Sequence, residues 1–364
     1  MPTVLASSAL CRPGALTPGW LAVEDGIIIE VGEDRLPRGA TDVGAAVLAP
    51  AFVDLQLNGI DDVDLATADP AGWRRVGQQL ARHGVGAYLA TFVSAPLDAY
   101  DEPLMRLAAA QRATGPGDAT PLGAHLEGPF LGDAPGAHPV DQLRAVDLAW
   151  LESTLAAHPG LVRMVTLAPE ADPGLHAVTW LAHHDVLVAL GHSQASSDDA
   201  RDAAGAGARV VTHLFNGMGS LHHRAPGLVG AALDDERLTP TLIADLVHVD
   251  ETVVRIVLAA KPAVAVVSDA IAAGRDLDTT AGAARLADGR LAGATVLLDG
   301  ALENLVRIGV PVERAVAATS TVPAALLGQS DRGRLVAGAR ADVIALDPRA
   351  GTLQAVWIGG TPVR

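Results

Sequence analysis

Cysteine is almost missing from this chain: Cys11 is the only one. No intrachain disulfide can form, and a thiolate metal cluster is excluded. Lysine is as scarce, with Lys261 alone, so nearly all positive charge is arginine. That skew, beside the abundance of Ala and Gly, reads as a biased genome rather than as a function. Aromatic residues make up 3 %, so Ala, Val and Leu have to fill the core. Positive charge is in deficit, 26 Lys and Arg against 42 Asp and Glu, for a net charge of −16. A nucleic-acid partner wants a basic footprint and is excluded on that ground, whereas a small anion can still be held by one arginine. Apolar runs break at Gly, Pro or charge before the roughly 18 residues of a membrane span. The opening MPTVLASSALCRPGAL has no basic start followed by a long apolar stretch, so no secretory signal is read. The expectation is a soluble, cytoplasmic protein with neither a membrane nor a nucleic-acid partner.

What is present is an alternation. The 364 residues suit one large domain and a small one. Residues 1–48 read as short strands and turns, TVLASSAL and GWLAVEDGIIIEVG among them, and residues 334–364 have the same texture. The two ends are expected to build one small β-sandwich domain. Between them, in residues 49–333, eight apolar segments read as strands: 51–57, 87–93, 122–126, 162–167, 186–190, 210–214, 241–246 and 264–268. Helical stretches separate most of them: 73–83, 103–112, 143–157, 196–206 and 251–259, with 301–309 and 312–319 closing the set. Continuous apolar strands alternating with helices predict an α/β protein with a closed parallel (β/α)8 TIM-like barrel. An open doubly wound sheet would offer a Gly-rich phosphate turn after an early strand. The one candidate, AGAGA at 204–208, ends a helix before a strand, which is the wrong order.

Polar residues sit where the apolar runs end: Gln56 and Asn58, Glu127, His192, His213, His248 and Asp269. In a barrel these ends converge on one face, which carries the active site. Glu127, His192 and His213 are the residue types that hold a borderline divalent metal, with a fourth position open. Water bound there has its pKa lowered to roughly 7. Hydrolysis also needs a group to shuttle that water's proton to the leaving group, and Asp269 is placed for it. Each residue has a blander reading. Asp269 could cap the following helix. A lone strand-end histidine is more often a hydrogen-bonded structural residue. His125 shares a strand face with Glu127 and reads as a supporting partner, and the pairs His183/His184 and His222/His223 read as solvated. The joint occurrence at six of eight strand ends favours the metal site.

Motifs spread along the chain in order add to this: PAFVDLQLNG, HLEGPFL, GAHP, LGHSQA, THLFNGM, APGLVGA, DLVHVD, VSDA, LAGA and ARADVIALD. Together they resemble the amidohydrolase superfamily, and within it the N-acetylglucosamine-6-phosphate deacetylases. The resemblance implies a metal-dependent barrel that removes acetate from a small phosphorylated amino sugar, N-acetylglucosamine 6-phosphate. By it Glu127, His192 and His213 bind one divalent ion, Zn2+ first, with Fe2+, Co2+ or Mn2+ as alternatives. Asp269 is the base and then the acid, and His138 bonds the sugar or the acetyl carbonyl. Asn216 and Gly217 offer backbone groups to the phosphate, Arg224 and His248 neutralise it, and Ala137 with Leu291, Ala292 and Gly293 line the sugar pocket. A homodimer with the phosphate site near the interface is implied. Most of the superfamily carries His-x-His where this chain has Gln56-Leu57-Asn58. Amide oxygens replace imidazole poorly, so one tight metal is expected, with Gln56 and Asn58 as a weak second position. The loop GPFLGDAPGAHP carries Asp133 where many relatives are basic. Gluco against galacto substrate, catabolism against cell-wall recycling, another amidohydrolase activity, and a silent sugar-phosphate-binding barrel all remain as alternatives.

Overall fold

All eight expected strands form, and they pair in chain order. In this computed structural model the described residues are 3–364 without 13, 34–36, 38, 45, 274–276 and 280–282. The barrel strands are β1 (Phe52–Leu57), β2 (Val85–Val93), β3 (Thr120–Glu127), β4 (Val162–Leu167), β5 (Leu187–Leu190), β6 (Val210–Val211), β7 (Thr239–Ile243) and β8 (Ala265–Val267). Each is parallel to the next. The ring nearly closes through the ends of β8 and β1: Asp269 N donates to Gln56 O at 2.9 Å, and Leu57 bridges Ala270 in parallel.

Two strands stop earlier than their apolar runs. β6 was expected to reach residue 214 but ends at Val211, because His213 N donates to the Thr241 hydroxyl at 2.7 Å instead of to the ladder. β7 ends at Ile243 rather than 246, since Leu246 adopts φ 63° and Asp245 gathers the amides of Val247 and His248 into a turn. Helix starts follow caps rather than periodicity. The stretch expected from 143 becomes helical only at Leu148, because Asp147 takes the cap position and accepts from Trp150 N. Ser196 and Asp199 form a reciprocal capping box ahead of Ser197–Ala206.

The barrel interior is layered by the two-residue period of a strand. Its lower layer is apolar and draws on nearly every strand: Leu55, Leu89, Met164, Ala189, Val210, Ile243 and Val267 pack together, with Ala324 and Leu327 packed among them. Two residues further along three of these strands stand Thr91, Thr166 and Thr212, and across from them His125. Thr166 Oγ1 lies 2.7 Å from both His125 Nε2 and Thr212 Oγ1. Two residues beyond His125 comes Glu127. Apolar core, hydroxyl belt and polar mouth are thus successive rungs of the same strands. A separate, larger apolar cluster fills the space around the barrel, with Trp73, Val76 and Leu80 of the helix Pro70–Arg82 among its members.

The two chain ends meet in one curled sheet. Val47–Pro50 runs parallel to Thr3–Arg12 and antiparallel to Val343–Leu346, and the strands Ala15–Glu24, Ile27–Gly32 and Leu353–Ile358 extend it. Asp342 joins this sheet to the barrel. Its carboxylate pairs with Arg332, accepts from Arg340 Nε at 2.9 Å and from Gly359 N at 2.7 Å, while its carbonyl accepts from Ala51 N. Arg332 in turn reaches Thr120 Oγ1 at the start of β3. Arg332 and Asp342 side chains are 8 % and 6 % exposed, so removing one strands the other. Asp342→Ala is expected to lower stability by roughly 3–5 kcal/mol, read from urea denaturation. A loss under about 1 kcal/mol would mean that the pair does not hold the two parts together.

Candidate metal centre

Three nitrogen and oxygen atoms from three strand ends converge at the mouth. Glu127 Oε1 lies 3.2 Å from His192 Nε2 and 3.0 Å from His213 Nε2, and the two nitrogens are 3.1 Å apart. All three side chains are buried. Backbone conformation aims them. His192, His213 and Asp269 all have positive φ, at 50°, 30° and 48°, a region that non-glycine residues seldom occupy and that costs of order 1–3 kcal/mol each. Each chain turns sharply just past its strand and throws the side chain inward. Gly217 makes room for this, since a Cβ there would press on the His192 ring. Glu170 fastens the residues after His192, accepting from Ser193 Oγ at 2.6 Å and Gln194 N at 2.9 Å.

The donor set fits a divalent cation. His192 Nδ1 lies 3.1 Å from the carbonyl of Ala134, which only accepts, so the proton sits there and Nε2 presents its lone pair. His213 Nδ1 is buried without a partner among the described residues, and its Nε2 faces the same point. Two imidazole nitrogens and a carboxylate oxygen this close suit a positive ion between them. Ligand atoms on a tetrahedral ion with bonds of about 2.0–2.1 Å lie about 3.4 Å apart, near the spacings here.

The two carboxylates of the mouth diverge in acidity. Burial pushes Glu127 up, but the His192 and His213 rings against its Oε1, with His138 beside them, outweigh burial and hold Glu127 well below the usual carboxylate range. Asp269 is pushed up to about 7, by burial and then by the charge of Glu127. Gln56 links the pair: its Nε2 donates to Glu127 Oε1 at 3.0 Å and to Asp269 Oδ1 at 3.1 Å, and Asn58 Nδ2 donates to Asp269 Oδ1 at 3.0 Å. The amide nitrogens of Gln56 and Asn58 therefore face the carboxylates. Their oxygens are buried without a partner among the described residues. Burial pushes His138 down to about 3 and His125 down to about 4, so both are neutral near pH 7.

These residues line a cleft of about 880 Å³, a size suited to a small molecule. Most expected positions face it: Asn58, Glu127, Ala137, His138, His192, His213, Asn216, Gly217, His248, Asp269 and the Leu291–Gly293 turn. Gln56 is buried behind it. Arg224 does not line it; it is exposed in the turn where His222 bridges Ala225. Asn216 spends its side-chain nitrogen on the His213 carbonyl at 3.1 Å. His248 is held by Asp245, whose Oδ2 lies 2.6 Å from its Nδ1, leaving Nε2 buried and unpartnered among the described residues. Sequence reading missed Asp245, Glu170, Ser94 and the cleft-lining Arg285 and Arg290. Only the arginines carried a signal, both standing just before the LAGA turn in RLADGRLAGA.

Comparison with known proteins identifies the family and the fold. The model of the amidohydrolase family matches residues 47–363. An N-acetylgalactosamine-6-phosphate deacetylase of Escherichia coli O157:H7 is 36 % identical over 370 residues, covering 98 % of this chain and 97 % of that protein. The N-acetylglucosamine-6-phosphate deacetylase of Bos taurus is 34 % identical over 382 residues, covering 96 % and 93 %. Among solved structures, a single-residue variant of the N-acetyl-D-glucosamine-6-phosphate deacetylase of Mycobacterium smegmatis, in complex with N-acetyl-D-glucosamine-6-phosphate, superposes with a TM-score of 0.92 at 32 % identity, covering 100 % of this chain and 99 % of that one.

Removing metal should expose the crowding of the three donors. Chelation is expected to lower the melting temperature by several degrees, and one equivalent of Zn2+ to restore it. His213→Ala should abolish both effects while leaving the folded spectrum intact. Metal content of wild-type protein near zero, with no thermal response to any divalent ion, would exclude the site.

Proposed function

The chain belongs to the amidohydrolase family, and we propose that it removes acetate from an N-acetylhexosamine 6-phosphate, N-acetylglucosamine 6-phosphate first. The observation that carries this reading is the convergence of Glu127, His192 and His213 beside Asp269 in one cleft. Relatives sharing about a third of their residues over nearly the whole length bear activities on such sugars in their names.

Glu127, His192 and His213 would hold one divalent ion, zinc by the nitrogen-rich donor set, which when bound polarises the amide carbonyl and acidifies water. Asp269, near neutrality and half surrounded by the amides of Gln56 and Asn58, takes a proton from the attacking water. It returns that proton to the nitrogen as the C–N bond breaks, which makes the amine a viable leaving group. Acetate and the 6-phosphorylated amine leave. His138, neutral and at the cleft wall, donates to the carbonyl oxygen as negative charge grows there. His248, oriented by Asp245, aims its free Nε2 at the phosphate end, and a charge-assisted bond there positions the amide. The backbone groups of Asn216 and Gly217 and the Leu291–Gly293 turn line the remaining wall. Arg224 is turned out to solvent in its own chain, so its part in phosphate binding needs the homodimer, in which a second copy brings it to the cleft. No described helix is long and apolar enough to cross a membrane. A cytoplasmic location is part of the proposed reading.

The galacto epimer is a second reading, favoured by the Escherichia coli relative at 36 % identity. Acetate release from both phosphorylated epimers, measured side by side on the metal-loaded enzyme, decides between them, and no release from either refutes the proposal.

Two outcomes test individual roles. Asp269→Asn should keep its metal and lose roughly 100- to 10,000-fold in kcat. A base works only when deprotonated, so wild-type kcat/KM should fall as pH drops through the Asp269 pKa. That value is about 7 in the free site and lower beside a cation, which puts the midpoint of the acid limb at or below about 7. Near-normal turnover by the variant removes Asp269 from this role. Arg224→Ala should raise KM for the phosphorylated sugar roughly tenfold or more with little change in kcat. Equal turnover of N-acetylglucosamine with and without its phosphate, by the wild-type enzyme, would sink the phosphate clamp.

A further inference from the structure

We infer that Ser94 is a positioning residue that fixes which nitrogen of His138 carries the proton. Ser94 directly follows β2 and is 4 % exposed. Its Oγ lies 2.8 Å from His138 Nδ1, and its backbone N–H also points at that nitrogen, at 3.4 Å. A backbone N–H can only donate. Nδ1 is therefore the acceptor, the Ser94 hydroxyl hydrogen turns toward it as well, and the ring proton resides on Nε2. That nitrogen has no protein acceptor within hydrogen-bonding distance among the described residues. Its nearest carboxylate oxygen is Glu127 Oε2 at 3.8 Å, beyond a hydrogen bond. The His138 ring also stands edge-on to His192, with centroids 4.4 Å apart, which fixes its plane. The result is an unspent N–H donor at the wall of the cleft, beside the metal donors.

The sign of that group matters. A donor there stabilises an oxygen on which negative charge develops, whereas the other tautomer would present a lone pair to it. Ser94 selects the first. The fold makes space for the contact at Gly128, where a Cβ would collide with Ser94 Oγ. The inference deepens the proposed function, resting on it for the part His138 plays toward the carbonyl. The tautomer itself stands on the geometry alone.

The test uses the metal-loaded full-length enzyme. Long-range 1H–15N spectra of histidine-labelled protein, with His138 assigned by its loss in His138→Asn, should show Nε2 protonated and Nδ1 bare. In Ser94→Ala, which loses the hydroxyl at 2.8 Å and keeps only the longer backbone contact at 3.4 Å, the two forms should mix. With N-acetylglucosamine 6-phosphate as substrate, Ser94→Ala should lose roughly 10- to 100-fold in kcat while KM changes by less than about threefold, and Ser94→Thr should recover most of it. Metal content should stay at the wild-type level in both variants. A wild-type spectrum with the proton on Nδ1 overturns the inference. So does unchanged kcat in Ser94→Ala, or a loss that tracks missing metal or is not rescued by threonine. If the wild-type enzyme releases no acetate, the proposed function fails, and the spectrum alone still decides the role of Ser94.

Discussion

Two imidazole nitrogens and one carboxylate oxygen lie within 3.0–3.2 Å of one another in a buried place, and the rest of the molecule is arranged to hold them there. Such a cluster is costly to build. The two nitrogens present like charge density, and burial penalises the carboxylate unless its neighbours offset it. Three backbone turns in the left-handed region add strain. A fold tolerates this only where surrounding structure over-determines the geometry. Here Thr241 pins His213 through its amide, Ala134 fixes the His192 tautomer, Glu170 ties down the residues that follow, and Gln56 shares Glu127 with Asp269.

Precision at the mouth derives from the barrel below it. A strand sends alternate side chains to one face, so the apolar floor, the hydroxyl belt and the mouth are linked rung by rung. Met164 is followed two residues on by Thr166, and Val210 by Thr212. The belt accommodates a fully buried His125 by giving its Nε2 a hydroxyl at 2.7 Å. Above the belt Glu127 is the last rung of β3, whereas His192, His213 and Asp269 leave strand geometry just past their strands. The fold therefore delivers rigidity up to the last rung and freedom of direction just beyond it, which is why chemistry gathers at the carboxyl ends of barrel strands.

This division explains what could be read in the chain before any coordinates. The eight strands were legible because each is a continuous apolar run, buried on both faces. Glu127, His192, His213 and Asp269 were legible because polar residues end those runs. Strand ends were less so: β6 and β7 stop where Thr241 and Asp245 capture backbone amides, and a hydrophobic pattern carries no trace of such captures. Ser94, Glu170 and Asp245 were invisible for a related reason. Each is an ordinary residue in its own segment. Its meaning comes from a partner 44, 23 or 3 residues away whose direction depends on a loop or a turn. Arg224 shows the limit from the other side: motif resemblance assigned it to the substrate, yet its own chain leaves it on the surface.

The replacement of His-x-His by Gln56-Leu57-Asn58 is best understood through the carboxylates. Two acidic groups this close and this buried do not ionise alike; one is held ionised while the other keeps its proton more readily. Glu127 receives the imidazoles and is held low. Asp269 rises to about 7 through burial and the charge of Glu127, against the lowering pull of His213 and His248. Imidazoles at 56 and 58 would add nitrogen donors between the two groups and invite a second cation, whose charge would pull Asp269 down as well. Amides supply hydrogen bonds without charge. Gln56 touches both carboxylates and Asn58 touches Asp269 alone, so the proton-carrying group is oriented by two donors while burial keeps its affinity for a proton. Neutral amides in place of a metal-binding pair thus orient both carboxylates, through one shared amide nitrogen, without adding charge.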